Sequence, residues 1–260
     1  MNALREEAPP RAMSIMGDLE IVTVAEHRGL GEQARAAFRS SWPEFIFHDP
    51  IDSEYIGYVE THFSQYEVLL LEDREVVARG WGIPLRWDGT ISALPKGYDG
   101  ALISAMDSHE DSGETDTLCV MGAAIRGDRR GAGLSRKVLT ALRERASAAG
   151  LIRVIAPVRP TLKSRYPLTP MQSFALWTRS DGLHIDPWIR THQRLGASIL
   201  GPAPHSMTII GTVPEWEGWT NMAFPETGQY AVPDALDLVS IDLERDCGTY
   251  NETNLWMRHL

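Results

Sequence analysis

Residues 117–158 read as strand, glycine-rich turn, helix and strand, and that order admits few folds. "TLCVMGAAI" (117–125) and "LIRVIAPV" (151–158) are continuous apolar runs of strand length. Between them, Leu134, Val138, Ala141, Leu142 and Ala146 recur on one helical stripe, with Arg136, Lys137, Arg143, Glu144 and Arg145 mostly elsewhere. A helix that connects two buried strands makes them parallel, with a right-handed crossover. The spacing therefore predicts an α/β fold.

The turn inside this unit, "IRGDRRGAGLS" (125–135), holds Gly127, Gly131 and Gly133 beside Arg126, Arg129 and Arg130. A tight turn needs one or two glycines. Free N–H groups at a helix start, with the partial positive charge of the helix end, suit an anion. Glycine lets backbone approach a ligand closely, and the three arginines would neutralise a diphosphate. Solvated arginines around a plain strand-to-helix turn are the alternative. The rest of the chain sharpens the contrast: 25 Lys+Arg against 35 Asp+Glu leave a net charge of −10. That balance argues against a general nucleic-acid partner, which a basic face would mark.

Elsewhere the pattern predicts a strand over 19–26, helices over 29–42 and 55–63, and a hairpin of strands 66–72 and 75–87. A polar interval follows (88–115), with a helix near 98–107. A long loop over 159–182 contains a short helix near 170–178. "DPWIRTHQRLGAS" (186–198) begins on an Asp–Pro cap and ends at Gly196, as a helix does. A strand over 206–213 comes next, and the aromatic segment 214–260 shows no clear pattern. Residues 1–17, which carry acids and a Pro pair where a secretory signal would be apolar, read as a loose leader before a single unit over 18–260. Two cysteines far apart, Cys119 and Cys247, fit a reduced, cytoplasmic setting. No run approaches the ~20 apolar residues of a membrane span, so no membrane partner is expected.

The Walker and Rossmann glycine patterns are both missing from the turn. What Arg130-Gly131-Ala132-Gly133-Leu134-Ser135 resembles is the acyl-CoA loop of the GNAT acyltransferase superfamily, with Ser135 where relatives carry Gly or Ala. The strand–helix–helix–strand–strand order of residues 19–87 and the Leu195-Gly196 end of the late helix extend the resemblance to about residues 18–213. It implies a mixed, mostly antiparallel central sheet with a V-shaped splay, flanked by helices. It also implies acetyl-CoA or another acyl-CoA as co-substrate: the pyrophosphate on the N–H groups of Arg130, Gly131, Ala132, Gly133, Leu134 and Ser135, and the pantetheine arm along Ala123, Ala124 and Ile125. Relatives place a tyrosine acid four residues before the late helix's glycine. Here that position is His192, and histidine can act as acid or base near neutrality.

The resemblance leaves three readings. The first is direct N-acyl transfer to a small-molecule or carrier-bound amine. The second is malonyl-CoA decarboxylation or S-acyl transfer by His192 with Thr161, where Arg159 or Lys163 would hold a carboxylate. The third is a non-catalytic acyl-CoA-binding module. On a strand, Glu215 and Glu217 of "PEWEGW" would share one face and Trp216 the other, making either glutamate a possible base. Trp188 and Trp216 could wall the acceptor pocket, or pack in the core. His184, Asp186 and His205 fit no zinc spacing, and no metal is expected.

Overall fold

The unit that anchors the sequence argument forms as its pattern dictates. In the computed structural model, which describes residues 19–111 and 113–259, strand β4 (Thr117–Ile125) leads through the turn into helix α4 (Leu134–Ala148) and strand β5 (Arg153–Val158). β4 and β5 run parallel. The leader expected over 1–17 lies outside the described residues.

Ahead of this unit come β1 (Leu19–Thr23), α1 (Gly29–Phe38), α2 (Pro50–His62), β2 (Glu67–Glu72), β3 (Glu75–Leu85) and α3 (Gly97–Glu110). The hairpin of β2 and β3 turns on Asp73 and Arg74, with φ of 51° and 68°. Two consecutive left-handed residues are the mark of a two-residue loop that matches strand twist. Helix α2 starts five residues before the apolar spacing suggests. Asp49 accepts hydrogen bonds from the N–H groups of Ile51 and Asp52, and Pro50 takes the first helical position.

After β5 come α5 (Met171–Phe174), α6 (Pro187–Arg194), β6 (Ser198–Gly211), α7 (Val213–Thr220), β7 (Gly228–Tyr230), β8 (Val239–Asp242) and β9 (Cys247–His259). The sheet runs β1-β2-β3-β4-β5-β9-β8-β7, with β6 also on β9. Every pair but β4–β5 is antiparallel. This is the mixed, mostly antiparallel sheet that the family resemblance implies. Helix α4 packs its apolar stripe, Leu134, Val138, Leu142 and Ala146, into the main core. Gly80 permits the close approach: a Cβ there would lie 2.2 Å from Val138 Cγ1. Among the described residues no helix is long and apolar enough to cross a membrane.

Two segments differ from expectation. Residues 213–220 are helical because Thr212 and Glu215 form a reciprocal capping box around Pro214 at the helix start. Residues 247–259, without readable pattern, form a strand lying between β5 and β6. Its inward positions include Glu252 and Asn254, so the buried face is partly polar.

Candidate active site

β4 and β5 pair only at Thr117–Arg153, Leu118–Val154 and Cys119–Ile155, then part. A bulge helps separate them. Trp81 of β3 faces Gly122 and Gly82 faces Val120, so Met121 is the extra residue on β4. On β5, Pro157 lacks a donor. A cavity of about 490 Å3 opens between the parted strands, bordered by Val120–Ala123 on one side and Ala156–Val158 on the other. The remaining wall comes from α1 and the segment 39–47 after it, α2, β3, α3, α6, β6 and β9.

At the end of β4 the turn holds Gly131 and Gly133 at φ of 85° and 75°. Gly133 is the N-cap of α4 and gives it no side-chain cap. Among the described residues the amides of Gly131, Gly133, Leu134 and Ser135 donate to nothing. All four therefore remain available to a ligand. Two of the arginines expected to neutralise a diphosphate are committed elsewhere. Arg126 pairs with Glu75 and Asp128, and Arg129 pairs with Glu72 and Asp128. Arg130 is exposed and has no ion pair among the described residues.

The opposite wall is a hydrogen-bonded chain. The Tyr98 hydroxyl donates to Asp52 at 2.6 Å, and the Tyr98 amide donates to Ser206 Oγ. Ser206 donates to Asn254 Oδ1, and Asn254 Nδ2 donates to Glu252 Oε1. Glu252 also accepts from the Tyr250 hydroxyl and, through both oxygens, from Arg159 Nε. Burial pushes the Asp52 carboxyl up, and it pushes the Tyr98 phenol well up. Behind them, burial and the adjacent Asp49 charge push Asp99 up to about 8. The wall carries both signs: Glu32, Asp52 and Glu60 with Arg35, Arg39 and Arg79 also border the cavity.

His192, on α6, is buried and borders the same cavity. The Trp188 ring meets it edge-on, 4.3 Å between centroids. Its Nδ1 lies 2.8 Å from Nε2 of His259 on β9, while its Nε2 has no partner among the described residues. Burial, then the neighbouring ring, holds His192 well below the ordinary imidazole value. Burial, then Arg143, pushes His259 down to about 4. The folded chain therefore keeps both rings neutral where unfolded imidazoles, at about 6.5, begin to bind protons. Stability is full above that value and falls as pH drops toward 4. Urea midpoints measured from pH 7 to pH 4 should show this decline, and a His192→Gln/His259→Gln double variant should flatten it.

Of the other residues singled out, Arg159 and Trp188 border the cavity. Ala123 borders it too, while Ala124 is buried against the core beneath β2. Thr161 does not reach it. Exposed, it donates to Asp186, whose carboxylate caps α6. Lys163 is not an anion site: fully buried, it donates to the carbonyls of Leu236 at 2.5 Å and Tyr166 at 3.1 Å, with Asp237 beside it at 3.6 Å. Glu215 is spent on the α7 capping box and Glu217 accepts from the Phe224 amide. Both lie on an exposed helical turn away from the cavity. Trp216 is core, packed with Phe45 and Tyr250. Sequence reasoning missed Asp52, Arg79, Tyr98, Glu252 and Asn254. The Asp49–Pro50 cap would have placed Asp52 on the first turn of a helix, but nothing in the sequence announces the others.

No protein-family model matches the chain. It is 27% identical over 249 residues to the arginine N-acetyltransferase avaD of Aspergillus versicolor, covering 85% of each chain. In fold it is similar to the loading GNATL domain of CurA from Lyngbya majuscula, with TM-score 0.58, 16% identity, and 93% of this chain and 96% of that one covered. It is similar also to the GphF GNAT-like decarboxylase in complex with isobutyryl-CoA, with TM-score 0.54, 15% identity, and 93% and 98% covered.

Proposed function

We propose that the chain is a GNAT-superfamily acyltransferase that moves a short acyl group from acyl-CoA directly to the amine of a small molecule resembling an amino acid. One observation carries the reading: a single cavity joins the parted strands β4 and β5 to a wall bearing both carboxylates and guanidinium groups. A cavity of mixed charge suits an acceptor that carries an ammonium and a carboxylate. The relative named for arginine N-acetylation supports the same class.

The chain's own groups fit acyl-CoA. The free amides of Gly131, Gly133, Leu134 and Ser135 are placed to hold the pyrophosphate, with Arg130 beside them. The β4 backbone beyond Cys119, unpaired on its β5 side, is placed to take the amides of the pantetheine arm as an added strand would. When bound, the thioester supplies the activated acyl group. Asp52 attracts the ammonium of the acceptor, and His192 is the group that accepts its proton. The decarboxylating alternative lacks its second member, since Thr161 is tied to Asp186.

Two measurements test this. Acetyl-CoA at a hundred times its dissociation constant should stabilise the fold by ~2.7 kcal/mol, read as a thermal shift. Free thiol should then appear from acetyl-CoA only when an amine such as arginine, lysine or agmatine is added. Absence of a shift with every acyl-CoA would overturn the reading. So would carbon dioxide release from malonyl-CoA without any acceptor.

A further inference from the structure

The hydrogen bond between His192 and His259 joins two cavities. His192 borders the acceptor cavity. His259 borders a second, of about 670 Å3, walled by Thr140, Arg143, Glu144 and Ser147 of α4, by residues 150–152 leading into β5 and by Val154 on it. The two share no bordering residue. Each ring uses one nitrogen on the other, 2.8 Å apart, and each has its remaining nitrogen, His192 Nε2 and His259 Nδ1, buried and without a partner among the described residues. Buried ring nitrogens are ordinarily satisfied. Two unsatisfied nitrogens at the ends of one hydrogen bond, in rings that border separate cavities, describe a path.

We propose that His192 and His259 form a proton relay that connects the acceptor cavity to the second cavity during acyl transfer. The proposal rests on the acyltransferase reading above. An ammonium acceptor must lose one proton before it can attack. That proton enters at His192 Nε2, the Nδ1 proton of His192 passes to His259 Nε2, and the Nδ1 proton of His259 leaves into the second cavity. One proton enters, one leaves, and neither ring ends as a cation. A buried lone histidine cannot do this, because accepting the proton would leave an imidazolium where burial opposes it. The reverse shift follows when the thiolate departs. His192 gives its Nε2 proton to sulfur, His259 Nε2 returns its proton to His192 Nδ1, and His259 Nδ1 is reprotonated by water. The amine's second surplus proton, which balances the overall reaction, goes to water.

His259 touches no substrate on this account; it acts through His192. Replacing it with glutamine keeps a group able to hold His192 by a hydrogen bond but unable to pass a proton through a ring. His259→Gln should lower kcat tenfold or more while KM for acetyl-CoA and for the amine stay within twofold. In His259→Gly, imidazole should restore kcat, and pyrrole, of similar size but without a basic nitrogen, should not. The relay is overturned if His259→Gln keeps the kcat of the unaltered protein, if both KM values rise with the loss, or if pyrrole rescues as well as imidazole. If the unaltered protein transfers no acyl group to any amine, the acyltransfer reading itself fails and the relay falls with it. Activity in the unaltered protein with any of the three contrary outcomes removes the relay alone.

Discussion

A His192→Ala variant is expected to lose roughly 10²- to 10⁴-fold in kcat, the usual contribution of a positioned acid–base group. KM for acetyl-CoA should change little, since the loop over 130–135 and the β4 edge, the proposed contacts of that substrate, lie outside α6. The geometry explains why the loss falls on chemistry. The His192 ring borders the cavity, one of its nitrogens is buried without a partner among the described residues, and its other nitrogen is fixed by His259. Steady-state rates at saturating acetyl-CoA and amine decide the matter: unchanged turnover would make the ring a packing element of α6.

The second large effect is on stability. Glu252 is fully buried and receives Arg159 Nε on both carboxylate oxygens, with Tyr250 and Asn254 as further donors. Arg159→Met removes the only guanidinium in that set and leaves a buried carboxylate without its counter-charge. Breaking a buried pair from one side typically costs about 3–5 kcal/mol. The double variant Arg159→Met/Glu252→Gln removes the stranded charge and should recover part of the loss. Urea midpoints for the two variants make the comparison. Equal midpoints for Arg159→Met and the unaltered chain would mean that water reaches Glu252.

Much of this molecule can be read from periodicity alone. The β4–turn–α4–β5 unit is legible because its strands are apolar throughout and its helix carries a clear stripe. His192 is legible only by counting back from Gly196, which depends on a family resemblance. The rest of the site escapes for physical reasons. Asp52, Tyr98, Ser206, Asn254, Glu252 and Arg159 come from five stretches of chain, and only the topology joins them. β9 hides itself, since polar residues turned toward an internal cavity invert the inside–outside alternation by which strands are recognised. Lys163 misleads in the other direction. Beside Arg159 in the loop over 159–182 it reads as a cation able to hold a carboxylate, yet its ammonium is held by carbonyls, one of them 73 residues further on. Glu215 and Glu217 mislead because a three-residue spacing from Thr212 sets a helix, whereas alternation around Trp216 suggests a strand.

The placement of β9 has a consequence for how the chain acquires its activity. Glu252, Asn254 and His259 all arrive on the strand furthest along the chain, which slots between partners completed some 50 and 100 residues earlier. Until it docks, β5 and β6 present bare edges to each other across a gap, inviting mispairing. Closure therefore comes late, and one docking event both seals the sheet and completes the reaction centre. Partly synthesised or C-terminally clipped molecules would be inactive and aggregation-prone together.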